Sequence, residues 1–183
     1  MTTHHYEPIV SWTGDRGEGT SSYTSYGRQH TVAADNRPEI LASSDPGFRG
    51  DPNRWNPEQL FVASLSQCHM LWYLHLCSQG KVVVLEYVDR PTGTMTTIPS
   101  GAGEFTEVLL RPRVVVASAD QLEQARALHG PAHEMCFIAR SVSFPVRHEP
   151  EILAAERTGN QGTTGLLPPL TTTTTVDPDR GRT

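Results

Sequence analysis

The sequence has few lysines, few charged residues of either sign and no long apolar run. Lys81 is the only lysine, and 20 acidic residues outnumber 15 basic ones, for a formal net charge of -5. Non-specific nucleic-acid binding needs a basic surface, so we expect no nucleic-acid partner. No segment approaches the ~18 uninterrupted apolar residues of a transmembrane helix. The first residues show no basic region followed by an apolar run, so we expect no secretory signal and no membrane partner.

Cysteine is also scarce, with Cys68, Cys77 and Cys136 the only three. An odd number without close pairing does not suit a secreted disulfide framework and favours a reducing cytoplasm with one or two reactive thiols. The close Cys-x-x-Cys spacing of structural zinc is missing, so a metal site built from Cys68, Cys136, His69 and His133 is the least favoured interpretation. We expect no metal and no other cofactor, and we predict that Cys77 is structural.

The order of the secondary-structure signals predicts an α+β fold. The β-like runs IVSW, TSSYTSY and QHTVAA predict an antiparallel meander between residues 7 and 35, and a loop rich in Pro, Gly, Asp and Ser follows at 37–55. Three or four further strands are predicted between residues 81 and 149. We therefore expect one domain over residues 1–150, with two helices packed against antiparallel sheets. The Thr-, Gly- and Pro-rich tail at 151–183 is predicted to be disordered.

Two predicted helices carry the three cysteines. Asn56 as N-cap, Pro57 at the first helical position and Gln59 in a capping-box pattern predict the start of the first helix, and Gly80 predicts its end. Its apolar residues cover nearly every face, which predicts a buried helix. The second helix follows at 119–136 and is kinked or restarted at Gly130-Pro131. Its residues at helical intervals form one stripe: Leu122, Ala125, His129, Ala132 and Cys136.

Cys68 and Cys136 define the candidate chemistry. A cysteine inside an apolar helix is usually plain core, and only the fold can bring these two thiols together. If they meet, a thiolate can attack a peroxide, and the second thiol can condense with the resulting sulfenic acid to form a disulfide. Burial opposes ionisation of the attacking thiol, so a nearby cation is required. Arg49 and Arg54 are the candidates, and Glu58 could hold either one by a bidentate pair.

Spacing along the first helix predicts how the site is assembled. Glu58 and Cys68 are ten residues apart, which is roughly 15 Å along a straight helix. The two side chains cannot share one site within a single helix. If both serve the same site, Glu58 comes from a second copy of the chain, which predicts a homodimer with two composite sites.

Three motifs together resemble the OsmC/Ohr family of thiol-dependent peroxidases: WNPEQL at 55–60, SQCH at 66–69 and AHEMC at 132–136. The resemblance implies an OsmC-like, intertwined α+β homodimer that reduces organic hydroperoxides. It implies that Cys68 is the peroxidatic cysteine, Cys136 the resolving cysteine and Glu58 the carboxylate that holds an arginine. Arg49 lies nearest the arginine spacing of the OsmC-like branch, and Arg54 stays open. A lipoyl-type dithiol or another thiol is the implied reductant. Phe137 departs from the better-known branches, which have proline there.

Several aromatic residues and histidines are candidates for binding the substrate. Trp55, His69 and His133 could line the site, and Trp72 and Tyr73 could floor an apolar pocket. For His69 the competing interpretation is a hydrogen-bonded histidine packed under a loop, and for the aromatic residues it is ordinary core packing. The competing function is a non-catalytic OsmC-fold stress protein or small-molecule-binding dimer, with both cysteines inert.

Overall fold

The computed structural model describes residues 2–156, and its fold is α+β. In that part of the chain the strands are β1 (Ile9–Trp12), β2 (His30–Ala33), β3 (Ile40–Ala42), β4 (Val84–Asp89), β5 (Thr92–Thr97), β6 (Gly103–Leu110), β7 (Pro112–Val116), β8 (Val146–His148) and β9 (Glu151–Ala154). The α-helices are α1 (Pro57–Gln79), α2 (Leu122–Ala127) and α3 (His129–Met135). Short 3-10 turns lie at Pro46–Phe48, Ala119–Gln121 and Ala139–Ser141.

The strands form three sheets of three strands each, in the orders β1-β2-β3, β4-β7-β9 and β5-β6-β8. The first sheet is an antiparallel meander, as expected. The other two are mixed, because β8 pairs parallel with β6 and β9 pairs parallel with β7. The predicted packing of helices against antiparallel sheets is confirmed, with one parallel strand added to each of these two sheets. Parallel pairing needs a long crossover connection, and the segment containing α2 and α3 provides it.

The strand predictions hold in part. IVSW and QHTVAA contain β1 and β2, which confirms the start of the meander. TSSYTSY is a set of turns, because its hydroxyl groups bind nearby backbone: Ser25 Oγ donates to the carbonyl oxygens of Ser22 and Gly19, each at 2.9 Å. The short strand β3 lies inside the segment predicted as loop.

The described fold continues past Pro150, where the folded part was expected to end. Strand β9 follows that residue directly, and Ile152 of β9 is buried in the main apolar core with Val114 and Val116 of β7. A short strand after a proline gives a weak signal in sequence, since four residues carry little periodicity. The prediction of a disordered tail mostly falls on residues 157–183, which lie outside the described part.

Helix α1 begins and ends where the sequence predicts. Asn56 Oδ1 accepts the backbone N–H of Gln59 at 2.7 Å, and Gln59 Oε1 accepts the backbone N–H of Asn56 at 3.3 Å, which completes the capping box. Asn56 Nδ2 also donates to Asp45 Oδ2 at 3.3 Å. The cap therefore ties the start of α1 to the loop before it, and Gly80 caps the other end.

Only one narrow stripe of α1 is buried in the single chain. Its buried residues recur every fourth position, at Leu65, His69, Tyr73 and Cys77. The neighbouring face is open, and Leu71 is 63% exposed. The prediction of a helix buried on every side is therefore wrong for one copy of the chain, which leaves the side of α1 that carries Leu71 uncovered.

The second predicted helix is two short helices that meet at Leu128. Helix α3 begins at His129, so Gly130-Pro131 restarts the helix, and Pro131 lies in the first turn where its missing N–H costs nothing. Four members of the predicted stripe are buried: Ala125, His129, Ala132 and Cys136. Helix α3 packs against α1. Within residues 2–156, no helix has the length and apolarity to cross a membrane.

Replacing the N-cap residue tests how much the capping box stabilises the fold. We expect Asn56→Ala to lower the free energy of unfolding by about 1 to 2 kcal/mol, because it frees a helical N–H and leaves buried partners unpaired. The measurement is urea denaturation followed by circular dichroism. Asn53→Ala is the matched control, since Asn53 is exposed and its side chain makes no recorded hydrogen bond. Equal losses in both variants would contradict the role of the cap.

Candidate thiol site

The fold brings Cys68 and Cys136 together. Cys68 lies in the middle of α1, Cys136 follows the last residue of α3, and both are free thiols. The two thiols are near neighbours, because the Cys68 thiol raises the pKa of Cys136. Two sulfur atoms that are 68 positions apart in sequence are thus within reach of each other.

The two thiols have different surroundings. Cys136 is buried, whereas Cys68 is half-buried and faces a cavity. Burial raises the pKa of Cys136 to about 11, and the neighbouring Cys68 thiol acts in the same direction. The backbone N–H of Ala139 donates to Cys136 Sγ at 3.4 Å and offsets part of that rise. Cys136 is therefore a protonated thiol at neutral pH.

An apolar cavity of about 350 Å³ opens at Cys68. Its lining residues are Cys68, Leu71, Trp72, His75 and Phe137. Trp72 stands edge-on to the Phe137 ring at 5.4 Å and to the His75 ring at 5.7 Å between ring centroids. The arrangement suits an apolar molecule with one reactive end at the sulfur.

The sequence analysis missed most of the residues that line this cavity. Besides Cys68, it proposed only Trp72 as a residue of an apolar pocket. The signal was available on α1, because positions three, four and seven after Cys68 share its helical face. Those positions are Leu71, Trp72 and His75. Phe137 has no comparable signal, since it comes from the segment after α3.

Glu58 lies at a second cavity. That cavity has a volume of about 690 Å³ and is also lined by Asp45, Phe48 and Trp55. Glu58 Oε2 is buried and has no hydrogen-bond partner among residues 2–156. A buried carboxylate oxygen without a donor is costly, so this position calls for a cation or a donor. Trp55, expected to bind substrate, lies at this cavity and does not line the one at Cys68.

The two candidate arginines differ in their partners. Arg54 pairs with Asp51 at 3.6 Å. Arg49 adopts a left-handed backbone conformation with φ 67° at the end of the Pro46–Phe48 turn, and its guanidinium lies 5.6 Å from the centre of the Tyr23 ring. In the described part of one chain, neither arginine pairs with Glu58, and neither lines the cavity at Cys68.

A cluster of histidines lies behind the two thiols. His69 of α1 and His129 of α3 are fully buried, with His69 Nε2 and His129 Nδ1 joined by a hydrogen bond of 2.9 Å. His148 of β8 stacks on His69 at 5.4 Å between ring centroids, and the His133 ring lies 5.7 Å from His148. Tyr73 stacks on the other side of His129 at 3.9 Å. No carboxylate is among the groups that shift these histidines.

Burial keeps these rings neutral. It lowers the pKa of His69 to about 4 and that of His129 to about 3, and the neighbouring histidines act in the same direction. Arg126 adds a further positive charge near His129. Burial and the nearby His133 also lower the pKa of His148. The groups that shift these pKa values all disfavour the protonated form of the histidines.

Two histidines expected to bind substrate lie elsewhere. His69 does not line the cavity at Cys68, because its ring points between α1 and α3 toward His129. The alternative interpretation of His69, a hydrogen-bonded histidine, is confirmed. His69 packs between helices α1 and α3, whereas the sequence analysis expected it under a loop. His133 is half-buried beside His148 and does not line the cavity either. His148 was not singled out, since a histidine in a short strand carries no sequence signal of burial.

The described residues contain no group of three or more His, Cys, Asp or Glu side chains arranged to hold a metal ion. The histidine rings stack face to face, so their free nitrogens do not converge on one point. Cys77 is buried in the main apolar core beside Tyr73, and burial raises the pKa of its thiol, as suits a structural residue.

Comparison with known proteins finds the same fold in several solved structures. The model of the OsmC-like protein family matches residues 50–151. An OsmC-like protein of unknown function from Vibrio cholerae shares 34% identity, with a TM-score of 0.73 over 81% of this chain and 99% of that one. The chain therefore belongs to the OsmC/Ohr family.

More distant structures share the fold. An OsmC-like protein from Mycoplasma pneumoniae has 13% identity and a TM-score of 0.65, covering 83% of this chain and 99% of that one. An organic hydroperoxide resistance protein from Elizabethkingia anophelis has 20% identity and a TM-score of 0.59, covering 84% and 100%. A search of curated protein sequences found no match.

The neutral histidine cluster predicts that acid destabilises the fold. His69 and His129 have folded-state pKa values of about 4 and about 3, below the unfolded value near 6.5. The unfolded chain therefore binds protons first as the pH falls, and stability declines from about pH 6.5 downward by up to ~1.4 kcal/mol per pH unit for each ring. Urea unfolding at pH 7, 6 and 5 measures this slope.

His129→Asn should flatten the slope, because it removes one titrating ring and keeps a polar group near the Nδ1 position. His5→Gln is the control for loss of an imidazole outside the cluster, since His5 is exposed. A slope that is the same in the parent protein and in His129→Asn would contradict the assignment.

Proposed function

We propose that the protein is a thiol-dependent peroxidase that reduces organic hydroperoxides to alcohols. The observation that carries this proposal is the contact between Cys68 and Cys136 beside an apolar cavity. The half-buried thiol faces the cavity and the buried thiol lies behind it, which are the positions that attack and resolution require. Membership of the OsmC/Ohr family supports the same activity.

The proposed cycle has three steps. The Cys68 thiolate attacks the terminal oxygen of the hydroperoxide, the O–O bond breaks, and the alkoxide takes a proton and leaves as the alcohol. Cys68 is then a sulfenic acid. The Cys136 thiol attacks its sulfur, a disulfide forms, and hydroxide leaves with the thiol proton as water. A dithiol reductant of the lipoyl type, or another thiol, restores both cysteines and is itself oxidised. The cycle needs no metal or cofactor.

The cavity favours an organic substrate over hydrogen peroxide. Leu71, Trp72 and Phe137 offer apolar area to an alkyl or aromatic group while the peroxide reaches Cys68. Hydrogen peroxide has no such group and gains nothing from these walls. The solved protein from Elizabethkingia anophelis is described as an organic hydroperoxide resistance protein, which supports this substrate class.

We further propose that the complete site is shared within a homodimer. Among residues 2–156, no group donates to Glu58 Oε2, and no arginine lines the Cys68 cavity. A guanidinium that pairs with Glu58 of one copy and lies beside Cys68 of the other would meet both needs. Arg49 is favoured over Arg54, since Arg54 already pairs with Asp51. The side of α1 on which Leu71 is exposed is the surface that a second copy would cover. The thiol cycle suits a reducing compartment such as the cytoplasm.

Removing each thiol tests the cycle. We expect Cys68→Ser to abolish reduction of cumene hydroperoxide, because no sulfenic acid can form. Cys136→Ser should react once and hold Cys68 as a sulfenic acid, because the resolving thiol is gone. Peroxide consumption with dihydrolipoamide, together with dimedone labelling and mass spectrometry, measures both. Cys77→Ser is the control that removes a thiol outside the pair. Full turnover in Cys68→Ser would exclude the proposal in favour of an inert binding protein.

Mixing two inactive variants tests the shared site. We expect Cys68→Ser and Glu58→Gln homodimers each to lose activity. After joint unfolding and refolding, a heterodimer would contain one site with Cys68 from one chain and Glu58 from the other. About a quarter of the parent activity should then return, since half of the refolded dimers are mixed and each has one intact site. No recovery, with mixed dimers verified by mass, would show that Glu58 and Cys68 do not cooperate across an interface.

A further inference from the structure

One side-chain hydrogen bond joins the two helices that carry the reactive thiols. His69 is the residue after Cys68 on α1, and His129 is the first residue of α3, the helix that ends at Cys136. Their ring nitrogens are 2.9 Å apart. Among residues 2–156, this is the only hydrogen bond between side chains of α1 and α3. One member of the pair therefore lies on the helix that carries Cys68, and the other lies on the helix that directly precedes Cys136.

The hydrogen bond is held in a fixed orientation by rings on both sides. Tyr73 stacks on His129 with an interplanar angle of 15°, and His148 stacks on His69 with an angle of 28°. Both histidines are fully buried. Because one nitrogen must donate and the other accept, the hydrogen bond couples the tautomer of one ring to that of the other. Neither ring can rotate away without leaving a buried nitrogen unpaired.

Helix α3 needs such an anchor. It has seven residues, and a helix of that length is unstable alone, so packing must set its position. His129 lies at its start and Cys136 just past its end, roughly 10 Å apart along the axis. An anchor at His129 therefore limits how far Cys136 can move from Cys68. Disulfide geometry tolerates little error, with a Cβ–Cβ separation of about 3.5 to 4.5 Å.

We propose that His69 and His129 are positioning residues for disulfide formation, holding Cys136 where it can attack the oxidised sulfur of Cys68. This inference rests on the proposed function for the identity of the oxidised sulfur. The histidines do not touch substrate, since neither lines the cavity at Cys68. Peroxide attack needs Cys68, its cavity and the guanidinium proposed to keep the thiol ionised, whereas resolution needs the two helices in register. The pair thus acts on the second step and leaves the first unchanged.

Variants of His69 separate this role from a general effect on folding. Leu keeps a bulky side chain and removes the hydrogen bond. Gln places a polar group near the position of Nε2 and can restore the bond to His129. Asn is equally polar but too short to reach it. The parent protein and His69→Gln should therefore form the disulfide at similar rates. His69→Asn and His69→Leu should both form it more slowly.

The first measurement is a single turnover with cumene hydroperoxide. Dimedone trapping follows the sulfenic acid, and quenched mass spectrometry follows the Cys68–Cys136 disulfide. We expect His69→Leu to form the sulfenic acid at the parent rate and the disulfide about tenfold or more slowly, as a small displacement of reacting groups commonly causes. His69→Gln should recover most of the loss. Equal slowing of both steps, or no change in either, would overturn the proposal.

The second measurement needs no peroxide. The disulfide equilibrium of Cys68 and Cys136 is titrated with reduced and oxidised glutathione, and we expect the pair to be about tenfold easier to reduce in His69→Leu, a shift of ~30 mV. If the parent protein ignores peroxides but this shift appears, the proposed function fails and the positioning role stands. If the parent reduces peroxides and no shift appears, the positioning role fails alone.

Circular dichroism and thermal unfolding verify that each variant is folded. If His69→Leu does not fold, His69→Gln and His69→Asn decide the matter, because both are polar and differ mainly in reach. Equal disulfide rates and potentials in these two variants would overturn the proposal.

Discussion

Packing of α3 against α1 is the contact on which the thiol site depends. Cys68 and Cys136 come from distant parts of the sequence, and neither helix places its sulfur usefully without the other. Tyr73 and Cys77 of α1 and Ala132 of α3 meet in one apolar core with β7 and β9. The histidine pair is the polar part of the contact between the helices. Its members hydrogen-bond to each other, while their outer nitrogens are buried without a partner among residues 2–156.

Two unsatisfied features of the single chain are related. Leu71 of α1 is largely exposed, and Glu58 Oε2 is buried with no donor among residues 2–156. Apolar helix surface is normally covered, and a buried carboxylate is normally paired. A second copy of the chain would address both at once, which is why we place the homodimer in the proposed function. The spacing of Glu58 and Cys68 on one straight helix leads independently to the same arrangement.

Local signals allowed the site-bearing elements to be predicted, and long-range contacts explain what was missed. The cap at Asn56 and the stripe through His129 and Cys136 depend on neighbours in sequence, so α1 and α3 were found. The partner of His69 could not be read in this way, because His129 lies 60 residues away and nothing local marks the pair. The same holds for the parallel pairing of β8 with β6 and of β9 with β7. Leu71 and His75 were within reach of helical periodicity and were overlooked.

The late position of β8 and β9 has a consequence for how the protein is made. During synthesis, Cys68 and Cys136 both leave the ribosome before the two strands that complete the mixed sheets. Val146 and Ile152, which those strands contribute to the core, are therefore absent while the thiols are already present. The nascent chain thus passes through a stage in which unprotected sulfur can be oxidised or joined to Cys77 by mistake. The core around Cys77, which includes Ile152, is therefore complete only when the final strand docks.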